Sequence, residues 1–495
     1  MSRALIAGVD SSTQSTKVEL RDADTGALVA TGRAAHPPTH PPRSEQHPDD
    51  WWAALVAAMG QCGDDRSRVA AIAVAGQQHG LVCLDGDERV LRPAPLWNDT
   101  SGAAHAERMV ARLGRQTWAD ACGSVPLASF TVAKLAWLAA NEPDVLDATE
   151  HVLLPHDELN RRLTGRHTTD RGDASGTGWW SPAEGRYRMD LLDLAVPDTV
   201  DESWLPEVLG PTESPGTITA DAAAALGIPG TVVVGPGTGD NMAAALGLGL
   251  RAGDVAVSLG TSGTVFTTSD QPTADPSGAV AGFADATGRY LPLVCTLNAT
   301  GVTDAIARLM GVDLDEFDQL ALSVPTGASG LTLLPYLSGE RTPDRPNATG
   351  VLAGLRPDVE RAQVARAAVE GVLCGLLDGY DALVRQLDQP PGGDHLLVGG
   401  GARSPAYRQV LADLTGRAWL AVTDEETVAR GAAAQAAAVL HGSTVDEVVE
   451  QWGRPPSTMA LPGERSDNGA GTSAGNGADA AAMVRDAYAR LRDRS

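Results

Sequence analysis

The sequence predicts an α/β protein of two similarly built domains, on three observations. First, 495 residues exceed what one hydrophobic core normally serves, and 43% hydrophobic content supplies two cores amply. Second, two strand–turn–strand stretches with hydroxyl-rich tips lie about half a chain apart. One runs through Asp10-Ser11-Ser12-Thr13-Gln14-Ser15-Thr16 and the other through Gly260-Thr261-Ser262-Gly263-Thr264. Third, Thr231 to Gly249 places a β-branched run before closely spaced glycines, an Asp240-Asn241 pair and small helical residues. That order reads as a buried strand, a sharp turn and a helix, with a domain boundary near 247–254.

The net charge of −25 repels a phosphate backbone or an anionic membrane surface, so neither nucleic acid nor membrane is an expected partner. No apolar stretch reaches the roughly 18–20 residues that span a bilayer. The opening MSRALIAGVD enters a strand without an export-type leader. Five widely spaced cysteines without a CxxC pair suit a reducing compartment, and the expected location is cytoplasmic. Lys17 and Lys134 are the only lysines, so those two positions are candidates for needing a compact ammonium.

Along the chain, residues 4–34 alternate as a β-meander. Its first tip carries hydroxyls, backbone amides and one acid, a set able to hold phosphate oxygens, with Asp10 able to hold magnesium through water. Residues 49–60 read as helix, and Val69 to Asp85 as strand, turn, strand. The turn Gly76-Gln77-Gln78-His79-Gly80 offers two amides and an imidazole, the hydrogen-bonding groups a polyol requires. Pro95-Leu96-Trp97-Asn98-Asp99 sets an aromatic before an amide and an acid. Helical periodicity covers 103–113, 130–141 and 219–227, with a turn-rich stretch from Gly165 to Trp180 holding Asp170 and Asp173. Asp240 reads either as a helix cap or as an acid presented to a cleft. Further on, 360–386 is helical, and His395 to Val398 runs as a strand into Gly399-Gly400-Gly401. A triple glycine lets a flat ligand such as adenine approach the backbone. Glu426 to Leu440 is an Ala-rich helix expected against a sheet, 463–478 a linker, and the chain closes on a short amphipathic helix.

Assembled, these motifs resemble the FGGY-type carbohydrate kinases, most closely the xylulokinase branch. The resemblance spans about 4–460. Its specific pieces are Gly76 to Gly80, Leu91-Arg92-Pro93 with Leu96 to Asp99, Ser258 to Gly263, Leu334 to Pro343, and Gly350-x-Leu352-x-Gly354-Leu355 followed by Gln363-Val364-x-x-Ala367-Ala368-Val369-Glu370. It implies two ribonuclease-H-like, actin-like ATPase domains with a catalytic cleft between them. The sugar-binding domain would be 1–248 and the ATP-binding domain 249–462, followed by the linker 463–478 and a helix 479–495. The implied substrates are ATP with Mg2+ and a small sugar, D-xylulose. Gluconate, ribulose, glycerol or a non-catalytic sensor are the alternatives, and a homodimer is left open. By position, Asp240 matches the catalytic base; Gln78, His79, Asn98, Asp99 and Asn241 match the sugar contacts; and Asp10 matches the acid near magnesium. Thr13 matches the first phosphate turn, Gly260 and Thr261 the second, and Gly399, Gly400, Gly401 and Ala402 the nucleotide loop. The chain departs from the pattern at Gln78 (often Met), Ser12 (usually Gly), Ser101 (commonly Arg) and Ala140, which breaks the signature around Lys134.

Overall fold

The computed structural model describes residues 3–39, 42–197, 199–423, 426–463 and 474–494. The chain divides into two compact units. The first comprises Met1–Leu250, Thr268–Pro292 and Glu426–Pro455, and the second Arg251–Thr267, Leu293–Glu425 and Pro456–Ser495. Two segments from within 249–462 thus pack with the first unit.

In the first unit, β1 (Leu5–Ser11), β2 (Ser15–Asp22) and β3 (Leu28–Ala35) form the expected antiparallel meander. On the other side of β1 lies β4 (Val69–Gly76), parallel to it. β4 is not the first arm of a hairpin: β5 (Val82–Leu84) leaves the sheet and pairs with β6 (His151–Leu153). Helix α1 (Pro48–Gln61) packs on β2 and β3, burying Trp51, Leu55 and Met59. Its proline at the first turn and Asp49 and Asp50 near the N-terminus suit a helix start. Helix α2 (Pro155–Thr164), strand β7 (Thr168–Asp170) and the short α3 (Arg171–Ser175) follow.

The Thr231–Gly249 stretch holds less strand than its β-branched run predicts. Only β8 (Val233–Val234) joins β4, because Gly235-Pro236-Gly237 interrupts the ladder before β9 (Thr238–Gly239) rejoins it. Helix α4 (Asp240–Leu248) starts at once and ends on Gly249 at φ 66°.

The Ala-rich helix α5 (Thr427–His441) covers β1, β4 and α4. The fit is backbone against backbone. A Cβ on Gly8 would stand 1.9 Å from the Ala429 carbonyl oxygen, and one on Gly431 1.9 Å from that of Ala243. Hydrogen at these positions is a steric requirement, so Gly431→Ala should cost about 1–3 kcal/mol through overpacking. Urea unfolding of the full chain measures this, and an unchanged midpoint would refute so close a contact.

The second unit repeats the plan. Gly263–Thr267 lies between Leu293–Thr296 and Val255–Leu259, antiparallel to both. His395–Val398 and then Trp419–Ala421 continue in parallel. Counting only the five strands named here, each seven-stranded sheet therefore runs third, second, first, fourth, fifth, the ribonuclease-H-like order. The closing helix, Ala474–Arg492, begins inside the stretch expected to be linker; residues 464–473 lie outside the described residues. Among the described residues no helix is long and apolar enough to cross a membrane.

Candidate active site

The site is built where β1, β4 and β9 end. Asp10 of β1 and Thr238 of β9 are both register partners of Ala75 on β4, and Ser11 and Gly239 both flank Gly76. The residues that follow these strands leave the sheet at one edge, where open parallel sheets bind ligands. Two strand spacings, about 10 Å, separate β1 from β9.

Asp240 is the first residue of α4, with Gly239 as N-cap, so its side chain does not cap the helix. Its Oδ1 accepts the backbone N–H and the side-chain Nδ2–H of Asn241, each at 2.8 Å. Asn241 Nδ2 also donates to Gln78 Oε1 at 3.1 Å, while the buried Gln78 Nε2 has no hydrogen-bond partner among the described residues. Burial lifts the Asp240 carboxyl to about 7, with the charges of Asp10 and Asp173 adding to it and the Asn241 hydrogen bonds opposing it. A half-buried carboxyl with that proton affinity suits general-base work near neutrality.

Asp10 faces Lys17 across the hairpin, Nζ to Oδ2 3.5 Å, and the same ammonium reaches Glu426 at 2.7 Å. Burial raises Asp10 to about 6 despite Lys17, and its buried Oδ1 has no hydrogen-bond partner among the described residues. An uncompensated buried oxygen of this kind fits a cation, directly or through water.

Two loops fix the first hairpin tip. Trp97 Nε1–H donates to Thr13 Oγ1 at 2.9 Å, and Thr13 Oγ1–H donates to Gln77 Oε1 at 3.1 Å. The two sequence motifs flanking Gln77 and Trp97 therefore meet on the tip. His79 adopts φ 66°; its Nδ1–H donates to the Gly176 carbonyl at 2.7 Å, which leaves Nε2 as the acceptor. Phe130 and Phe283 hold its ring at centroid distances of 5.0 and 5.7 Å. Asn98 Oδ1 is buried and has no hydrogen-bond partner among the described residues.

Asp99 is buried, and its two oxygens accept the backbone N–H of Ser44 and Ser101 at 2.8 Å each, which fixes the loop. Lys134 is buried and donates to the carbonyls of Ala128 and Ser129, a structural ammonium. In the second unit, a Cβ on Gly399 (φ 83°) would meet the Leu259 carbonyl oxygen at 2.7 Å, and one on Gly401 the Leu259 Cβ at 2.6 Å. Close packing on Leu259 requires glycine at both positions. Gly400 faces open space, and a short 3-10 turn carrying Ala402 precedes the next helix. At the second hairpin tip, the Gly260 carbonyl accepts from Thr300 and that of Thr261 from Ala299, with Thr261 exposed.

A buried layer lies against the strand ends. His156, Asp157 and Asp173 have no exposed surface. His156 Nδ1 hydrogen-bonds Asp173 Oδ2 and lies 3.3 Å from Asp157 Oδ1. Burial disfavours the imidazolium, but the charges of Asp157 and Asp173 outweigh it and push His156 up to about 10. A Cβ on Gly76 would stand 2.8 Å from His156 Cβ, and one on Gly237 2.8 Å from His156 Cδ2, so both strand ends need glycine. Asp170 caps α3, accepting from the N–H of Gly172 and Asp173 and from Thr238 Oγ1. Proline at the first helical position and acids in the first turn of α2 were the signals in the sequence that point to this layer.

The comparisons agree with this architecture. Residues 5–247 match the N-terminal domain of the FGGY family of carbohydrate kinases, and 255–440 its C-terminal domain. A xylulose kinase of Streptomyces rubiginosus is 46% identical over 481 residues, 97% of each chain. The crystal structure of xylulose kinase from Bifidobacterium adolescentis superposes with a TM-score of 0.82 at 39% identity, covering 99% of each chain. That of a xylulose kinase from Brucella ovis gives 0.89 at 28% identity, covering 98% of each. With both family domains matched in order across nearly its whole length, the chain belongs to the FGGY family of carbohydrate kinases.

Proposed function

We propose that the chain transfers the terminal phosphoryl group of ATP to D-xylulose, giving D-xylulose 5-phosphate and ADP. The observation that carries the mechanism is Asp240: one carboxylate oxygen tied by Asn241, a proton affinity raised to about 7, and a place at the end of β9 beside Gln78. The relatives' identities support the choice of sugar, since a full-length relative 46% identical is a xylulose kinase.

In this reading the terminal hydroxyl oxygen of the sugar bonds to the γ-phosphorus as the bond from that phosphorus to the bridging oxygen breaks. The hydroxyl proton passes to Asp240, and ADP leaves with the bond's electron pair. Phosphoryl transfer is mainly positioning and charge stabilisation, so a carboxylate suffices as base. Gln78 Nε2, Asn98 Oδ1 and the His79 imidazole align the sugar, and Asn241 holds the base in register. Thr13 serves phosphate oxygens through its turn and Gly260 and Thr261 through theirs, and Gly399, Gly400, Gly401 and Ala402 serve the nucleotide. Asp10 would hold Mg2+, which when bound supplies positive charge to the phosphates. The first unit is thereby assigned the sugar and the second ATP. Cytoplasmic location accords with five free cysteines, four of them buried.

A coupled ADP-release assay over D-xylulose, D-ribulose, gluconate and glycerol tests the assignment. D-xylulose should give the highest kcat/KM, and a preference for gluconate or glycerol would overturn it. His79→Ala should raise KM for the sugar more than for ATP. Equal rises would make His79 purely structural.

A further inference from the structure

Away from the residues assigned to catalysis, two imidazoles and a carboxylate from separate segments of the first unit converge. Glu88 lies in the turn after β5, His151 opens β6, and His167 immediately precedes β7. One ligand atom from each lies within 4.8 Å of the others. The two ring centroids lie 4.1 Å apart with the rings tilted by 51°, and His167 Nε2 is 2.9 Å from Glu88 Oε2.

We propose that Glu88, His151 and His167 form a binding site for one divalent transition-metal ion of the zinc class. Two nitrogens and one oxygen are the donor set such ions accept, with bonds of about 2.0–2.2 Å and a remaining position for water. A hard ion such as Mg2+ prefers oxygen ligands and is excluded by the imidazoles.

Supporting contacts are also in place. A ligating histidine usually uses its second nitrogen on a carbonyl or carboxylate, which fixes the ring. The His151 ring is hydrogen-bonded by the Ser203 backbone. Arg161 is paired in two places with Glu158, and its Nη1 reaches Glu88 Oε2 at 3.3 Å, steadying that carboxylate. The turn is fixed as well, because Asp85 Oδ1 accepts the N–H of Asp87 and Arg89 on either side of Glu88.

Leu84 and His151 are register partners at the end of the β5–β6 pair. An ion at the cluster would therefore clip this two-stranded ribbon to the segment entering β7. Binding to the folded state alone would raise thermal stability.

The test uses the full chain freed of metal by EDTA and titrated with ZnCl2 by calorimetry. One ion per chain should bind, with a rise in melting temperature that MgCl2 does not produce. His167→Gln and His151→Gln should each weaken binding more than about tenfold and abolish the zinc-dependent rise. Both variants should keep the metal-free melting temperature and kinase activity of the wild type, which separates ligand loss from misfolding. Co2+ added in place of zinc should give a visible absorption band in the wild type that both variants lose. Zinc uptake unchanged in His167→Gln, or no saturable uptake at all, would overturn the proposal.

Discussion

Asp240→Asn should lower kcat by about 10²–10⁴-fold while changing the KM for sugar little. The amide keeps the volume and helix position but cannot take the hydroxyl proton. Stability separates this outcome from simple damage. The folded carboxyl binds its proton more tightly than an unfolded one, about 7 against 3.8. Between those values the folded state holds a proton the unfolded state has released, so wild-type stability falls as pH rises through that window. The variant lacks this loss and should melt higher than wild type at pH 8. A nearly inactive protein that is also more heat-stable fits a base held at a cost in stability. A variant with wild-type turnover would remove Asp240 from the chemistry. The rate of the wild type should fall on acidification below about pH 7, as Asp240 and then Asp10, at about 6, become protonated.

His156→Ala should be the most destabilising single change in the first unit, by about 3–5 kcal/mol at pH 7 in urea unfolding. It leaves Asp157 and Asp173 buried against each other with no cation between them. Adding Asp173→Asn should restore part of the loss by removing one stranded charge, and absence of rescue would show that cavity formation dominates. The pH signature follows from the raised imidazole. Its contribution is fully present below the unfolded value of 6.5 and is lost as pH rises through about 10. Asp173→Asn alone should also move the acid limb of the rate profile to lower pH, because Asp173 is one of the charges that raise Asp240.

Much of this was legible in the residues. The Asp10–Thr16 and Gly260–Thr264 tips, the helix after Gly239 and the amide-imidazole turn at 76–80 were marked by local chemistry that tertiary context left in place. What the residues did not show has physical causes. Asp240 resembled an N-cap because Gly239, which has no side chain, takes that position. The triple glycine suggested ligand access, and two of its members also pack on Leu259, a neighbour about 140 residues away that spacing does not reveal. The group around His156 was missed because its charges balance only once α2 and α3 are brought together. The hydrogen bonds from the Ser44 and Ser101 amides to Asp99 were likewise not legible from its spacing.

The glycine-seated helix α5 bears on biogenesis. Because residues 427–441 supply one wall of the sheet that begins at Leu5, the amino-terminal body cannot close until nearly the entire polypeptide has left the ribosome. Cutting the gene after codon 250 would therefore yield a fragment with a bare apolar sheet face, a product destined to aggregate rather than an independent sugar-binding module.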